Sequence, residues 1–417
     1  MKLRSKQMVF LMCLMFSINF LQAQVDWPQI TNTNKPWTRW WWEGSAVNAK
    51  DLTLNLEQYQ QAGLGGVEIT PIYGIKGREK EFIPFLSKSW MEMLSHTLKE
   101  SKRLKMGVDL ANGTGWPFGG PWVSDADASK TLYFKTFSVK DDLPFYSQMM
   151  YNQDGFVRTA NNQTALLENI KRPLTANPDL QSLALDQIQF REKLMPFTVM
   201  AYADNAKPID LTNDVSKDGI LNWTPPAGNW TIYSLYQGLH GKMVERAAPG
   251  GEGYAIDHFS DLATKNYFSK FNQAFKGYDL SYLRSFFNDS YEVDDARGQS
   301  NWTPDFFKQF KEQKGYDLKS HLPALFSKTA SPYTSSILYD YRSVIDELLL
   351  QSFTKQWNNW AHAQGKMVRN QSHGSPANTL DLYSAVDIPE TEGTDILRFK
   401  FASSAANVTG KKLVSAE

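Results

Sequence analysis

Short apolar runs alternate with stretches of helical period along the first part of the chain. Positions 38–42 (Thr38-Arg39-Trp40-Trp41-Trp42) form a bulky run suited to a buried strand. The stretch 51–62 that follows has a helical rhythm and stops at Gly63. Positions 66–69 read as a second strand, ending in a turn at Thr70-Pro71. Ser89 and Glu92 stand at the spacing of a capping box, which predicts a helix to about position 104. Positions 106–110 form a third strand that opens into Asn112-Gly113-Thr114-Gly115-Trp116. Strand–helix units in succession predict parallel strands joined by helical crossovers.

The rhythm breaks between 130 and 240, where alternating strand-like pieces such as 131–137 and 230–233 predict a β-rich insertion. Asn152 to Asn162 reads as a surface loop within it. Helical rhythm then returns. Strands are expected at 254–256, 283–289, 366–370, 385–388 and 412–416, with a helix opened by Thr303-Pro304 and a long helix over 336–363. About seven or eight strands suit an α/β fold of the (β/α)8 TIM type. The expected division is residues 24–129 for the first part of the barrel, 130–240 for the insertion and 241–417 for the remainder.

The N-terminus adds a processing segment. Lys2, Arg4 and Lys6 precede an apolar run over 8–20, and Leu21-Gln22-Ala23 offers a small residue for cleavage. The run is too short to span a bilayer, so residues 1–23 read as a secretory signal and the protein as exported, to the periplasm or beyond. Cleavage would remove Cys13, the single cysteine, which excludes a disulfide framework and a zinc–cysteine site. Lys+Arg 44 against Asp+Glu 44 gives no global electrostatic case for nucleic acid or an anionic membrane as partner. Aromatic residues make up 13% of the chain, an excess that fills cores and also offers faces for sugar rings.

Catalytic groups of such barrels stand at the carboxyl ends of strands. Those ends carry Asn288-Asp289-Ser290-Tyr291-Glu292, Asn370-Gln371-Ser372-His373-Gly374, Asp387-Ile388-Pro389-Glu390-Thr391-Glu392 and Ser415-Ala416-Glu417. Acids at several strand ends can converge on one pocket, and glycoside hydrolysis needs two carboxyl groups flanking the bond to be cut. The competing structural reading has each acid capping a helix or pairing with an arginine.

Taken in order, these strand ends together with Arg39-Trp40-Trp41-Trp42, Gly65-Gly66-Val67-Glu68, Asn112-Gly113-Thr114-Gly115-Trp116-Pro117 and Arg246-Ala247-Ala248-Pro249-Gly250-Gly251 resemble the family 106 glycoside hydrolases, the α-L-rhamnosidases. The resemblance implies an interrupted (β/α)8 barrel that inverts configuration with two glutamates and a calcium ion. It matches Glu417 to the general acid and leaves Glu390 and Glu392 open as the base. Asp289 and Glu292 match acids that bind sugar or metal, while His373, Trp116, Arg39 and Asn370 are expected to line the substrate site. The implied partner is an L-rhamnose-containing oligosaccharide or polysaccharide. The family continues past the position of Glu417, so the barrel is expected to be incomplete at the C-terminus of this chain. Two alternatives stay open, a non-catalytic carbohydrate-binding barrel and a glycosidase of another sugar specificity.

Overall fold

The computed structural model describes residues 29–140, 143–159, 165–170 and 185–417. The expected signal segment, with Cys13, lies outside these residues. Seven strands form one sheet: β1 (Trp37–Glu43), β2 (Gly66–Ile72), β3 (Gly107–Ala111), β4 (Ser285–Asn288), β5 (Met367–Gln371), β6 (Ile388–Thr391) and β7 (Ser415–Ala416). They lie in sequence order and every neighbouring pair is parallel. Parallel pairing demands a long return path. Helices Ala49–Gln61 and Lys88–Leu104 supply it for β1 to β3. Helix Ile396–Thr409 does so for β6 to β7.

Side-chain caps start the first two of these helices. Asn48 accepts from the Asp51 amide and Ser87 from the Trp90 amide, so the cap is Ser87 and the expected Ser89 box is not formed. The long helix begins in a capping box at Ser331 and runs Pro332–Leu348, but Leu349–Lys355 is a π-helical segment before Gln356–Ala363 resumes. Thr70 and Pro71 stay inside β2 rather than turning, and Tyr254–Ala255 leaves the main sheet to pair antiparallel with Gly119–Gly120. Glycine is required there, because a Cβ on Gly119 would stand 2.4 Å from the Tyr254 carbonyl oxygen.

Alternation along β1 divides its side chains between two faces. Trp40 and Trp42 point outward, packing on Tyr59 and Trp90 of the flanking helices at ring-centroid distances of 5.7 and 5.6 Å. Arg39 and Trp41 point to the opposite face. That face carries ions: Arg39 bonds Glu68 of β2, and Arg369 of β5 reaches Glu68, Asp109 of β3 and Glu390 of β6. Contacts between β2 and β5, and between β1 and the end of β7, require the sheet to curl around this face. The result is a mixed α/β fold whose parallel sheet forms a partial barrel with helices outside.

Between β3 and β4 the chain builds a four-stranded antiparallel sheet from Lys130–Val139, Thr198–Tyr202, Ile209–Asp210 and Trp230–Leu239. It has its own core of Val139, Met149, Val199, Leu211, Leu221, Trp230 and Ile232. Part of the expected loop over 152–162 is strand, Tyr151–Gln153 and Phe156–Thr159. Lys242, wholly buried, is neutralised by Asp186 at 2.8 Å and by Glu245. Among the described residues no helix is long and apolar enough to cross a membrane.

Candidate active site

The carboxyl ends of the strands open into a mouth, and its floor is a charged lattice. Arg39 is the nearest cation to the mouth. Its Nε donates to Glu68 Oε1 at 2.8 Å, and its Nη1 lies 3.3 Å from Asp289 Oδ2 and 2.7 Å from Glu417 Oε1. Its Nη2 donates to Glu417 Oε2 at 2.8 Å, so the guanidinium grips Glu417 with both nitrogens. The fork lies over the rings of Trp41 and Phe287, which orient it.

The acids it gathers differ in environment. Asp289 follows β4 and its side chain is only 12% exposed. Burial pushes its pKa up to about 7, against the pull of Arg39 and with the help of Glu417. The Glu417 side chain is held by Arg39 and by Gln371. Its backbone N–H donates to the Thr391 carbonyl at 2.9 Å, which sets it beside β6.

Glu390 is a different kind of acid. It sits inside β6 opposite Gln371, only 1% exposed, in contact with Arg369 and accepting from Gln371 Nε2 at 3.1 Å. Burial raises its pKa despite Arg369. The segment expected as strand 385–388 begins instead at Ile388, so Glu390 points into the sealed lattice. Glu392 lies beyond the strand, where His373 Nε2 contacts its Oε2 at 2.7 Å and Arg398 approaches at 4.0 Å. His373 is thereby engaged by a protein carboxylate, and its buried Nδ1 has no hydrogen-bond partner among the described residues.

Asn370, Trp116 and Glu292, also expected at the site, divide in the same way. Asn370 is buried, accepting from Asn288 Nδ2 at 2.6 Å and donating to Ser372 Oγ at 2.7 Å, so its amide is occupied within the protein. Trp116 is half-buried beneath Arg246, whose guanidinium lies 5.4 Å from its ring and donates to Tyr73 Oη at 2.9 Å. Glu292 accepts from Ser290 Oγ at 2.5 Å and holds a left-handed backbone with φ 39°, a strained conformation for a glutamate. Asp340 accepts from Tyr316 on the helical layer, away from this lattice. His258 is sealed between Tyr291 and Phe353.

The calcium reading meets no donor set of the required kind. A hard cation takes six to eight oxygens, and among the described residues no three Asp, Glu, His or Cys side chains gather for a metal. Asp289 is held by Arg39 and Glu292 by Ser290.

Glu68, Asp109, Arg369 and Gln371 belong to the lattice and escaped the sequence reading. Their signal was present. Glu68 stands between Val67 and Ile69 in a strand, and an acid there must be paired to be buried. Gln371 links the lattice to the mouth, because its Nε2 donates to both Glu390 and Glu417.

A curled parallel sheet with acids gathered at its carboxyl ends defines a mixed α/β protein with a carboxylate-lined candidate site. The chain belongs to the family 106 glycoside hydrolases, described as alpha-L-rhamnosidase, which it matches over residues 29–175 and 189–417. The solved rhamnosidase from Novosphingobium sp. PP1Y is similar in fold, with a TM-score of 0.68 at 18% identity, covering 95% of this chain and 52% of that one. A protein of Formosa agariphila provisionally named a beta-glucuronidase is 26% identical over 93% of this chain and 34% of its own length. The chain therefore spans about half of the one relative and a third of the other.

Proposed function

We infer that the protein is an exported glycoside hydrolase that removes terminal α-L-rhamnosyl residues, and that Glu417 works with an acid from the end of β4. The observation carrying this is the Arg39 bridge: one guanidinium nitrogen touches Asp289 and Glu417 together. Their facing oxygens are therefore at most about 6 Å apart, below the roughly 6.5–9.5 Å of inverting glycosidases and closer to the roughly 5–5.5 Å of retaining ones. Family membership favours inversion, and NMR of the first anomer released tests it.

The roles follow from environment. Glu417 can take the proton of an attacking water, with Arg39 fixing its orientation. The proton donor comes from the β4 end. Asp289 holds its proton near neutral pH, and Glu292 is the acid in a strained backbone. In this reading Glu417, matched by the resemblance to the general acid, serves as the base, and Glu390, in contact with Arg369, does not. In the intact enzyme the sheet is read as part of a (β/α)8 barrel carrying the β-rich insertion over 130–240. The N-terminal basic and apolar segment supports export.

The decisive assay is hydrolysis of an aryl α-L-rhamnoside by the full-length protein, beside the matching β-glucuronide. The provisional name of the Formosa relative makes that second substrate the direct competitor. Glu417→Gln should lower kcat by at least a hundredfold. Retained activity in that variant refutes the assignment. Chelation tests calcium separately: loss of activity restored by Ca2+ would require donors beyond those gathered here.

A further inference from the structure

A cavity of about 560 Å3 lies between the inserted sheet and the helices that follow β4. Its size is that of a small-molecule site, and junctions between structural units are where such sites concentrate. None of the acid lattice lines it. Its walls include Phe134 of the inserted strand, Gln299 and Asn301 of the loop after β4, Phe326, and Arg342 of helix Pro332–Leu348.

Three features define what could fill it. Phe134, 42% exposed, stacks on Phe326 with centroids 4.1 Å apart and planes 17° from parallel, offering a flat apolar face of the kind that packs on the C–H face of a sugar ring. Gln299 and Asn301 are joined by an Asn301 Nδ2 to Gln299 Oε1 hydrogen bond at 3.2 Å, which leaves the Gln299 Nε2 donor and the Asn301 Oδ1 acceptor for hydroxyl groups. Arg342 is exposed and, among the described residues, has neither an ion-pair partner nor a hydrogen-bond acceptor. Asp294 lines the same cavity without pairing with it. A free guanidinium fork recognises planar carboxylates.

Position links the cavity to the mouth. Asp294 lies five positions after Asp289 on the same loop, so the two are at most about 18 Å apart along the chain. Pro376, after β5, forms another wall on the carboxyl-end side. A ligand in the cavity therefore lies within reach of an oligosaccharide whose terminus enters the mouth.

We propose that this cavity is an accessory subsite for a uronic-acid residue of an acidic oligosaccharide, read by Arg342 through the sugar carboxylate and by the Phe134–Phe326 pair through the ring face. The proposal rests on the glycan-acting reading of the mouth but is measured independently of catalysis. Binding of tri-galacturonate, a neutral trisaccharide of equal length and a sulfated trisaccharide to the full-length protein is compared by calorimetry. The expected result is a clear preference for tri-galacturonate. Arg342→Ala should weaken it at least tenfold with thermal unfolding unchanged, and Phe134→Ala severalfold with a modest loss of thermal stability from the broken Phe326 stack, aryl-rhamnoside hydrolysis being unchanged in both. Both side chains are exposed, so the variants should fold. Equal affinity for acidic and neutral probes, stronger binding of the sulfated probe, or undiminished affinity in Arg342→Ala would overturn the proposal. Failure of aryl-rhamnoside hydrolysis in the unmodified protein would count against the mouth reading instead.

Discussion

Replacing Arg369 by alanine should destabilise the protein by about 3–5 kcal/mol at pH 8, the range for stranding a buried charge. The structure says which charge. Arg369 pairs with Glu68, Asp109 and Glu390, with its guanidinium 4.1 Å from the Phe287 ring centre. After its removal Glu68 keeps Arg39 at 2.8 Å and Asp109 keeps Arg284 at 2.8 Å. Glu390 is left with neutral partners, Gln371 and Ser415. Most of the penalty therefore belongs to Glu390. Its folded pKa is already above the usual value and would rise further without Arg369. An acid with a raised folded pKa favours folding only when protonated. Its penalty is full at pH 8 and shrinks as the pH falls toward the unfolded value, roughly 4.3. Urea unfolding of the single variant, Glu390→Gln and the double variant at pH 8 and pH 5 measures this. The Arg369→Ala cost should be smaller in the Glu390→Gln background and at pH 5. A cost below about 1 kcal/mol at pH 8, or one that is equal at both pH values and in both backgrounds, would refute the account.

The same face of the sheet yields three further expectations. Asp289 is held near 7, so kcat/KM on an aryl rhamnoside should fall as the pH rises above about 7, when the proton is lost; Asp289→Asn should remove that limb, and a limb that survives transfers it to Glu292. Trp42→Ala should cost about 3–5 kcal/mol in chemical unfolding, because the ring is fully buried. Trp41→Ala, at a position 40% exposed above Arg39, should cost far less stability and act on KM instead. Burial depresses His258 to about 3, so it stabilises the fold above pH 6.5 and that contribution is lost as the pH falls toward its folded pKa. His258→Phe should flatten the acid side of the stability profile, and an unchanged slope between pH 6.5 and 4 would remove His258 as its cause.

The helical crossovers, and hence the parallel sheet, were legible because their two periods are properties of single segments. The Arg39-Trp40-Trp41-Trp42 run announced a buried strand but not its sides, since alternation says which residues share a face and not which face is inside. Glu390 shows the harder limit. One strand boundary, set by the helix Thr379–Ser384 and its Asn378 cap, decided whether that acid would stand at the mouth or within the lattice. Pairing with β5 places it opposite Gln371, and no local pattern in Asp387-Ile388-Pro389-Glu390-Thr391-Glu392 encodes that register. Arg369 and Asp109 were missed for the same reason, being ordinary residues until parallel pairing sets β3 and β5 on either side of β4 with these side chains on one face.

That lattice bears on the chemistry through two side chains. Glu417 follows the last strand, Ser415–Ala416. Its carboxylate is fixed by Arg39 from β1 and Gln371 from β5, and both are anchored in turn, Arg39 by Glu68 and Gln371 by Glu390. A conservative loosening of this support should separate positioning from chemistry. Gln371→Ala removes one tether while leaving Arg39, Asp289 and Glu417 in place. It should lower kcat on an aryl rhamnoside about tenfold, with KM and the alkaline pH limb unchanged. Gln371→Glu would set a third carboxylate against Glu390 and Glu417 and should do more harm than the truncation. If it proves the milder of the two, Gln371 acts by filling space, and the orienting role assigned to its amide is wrong.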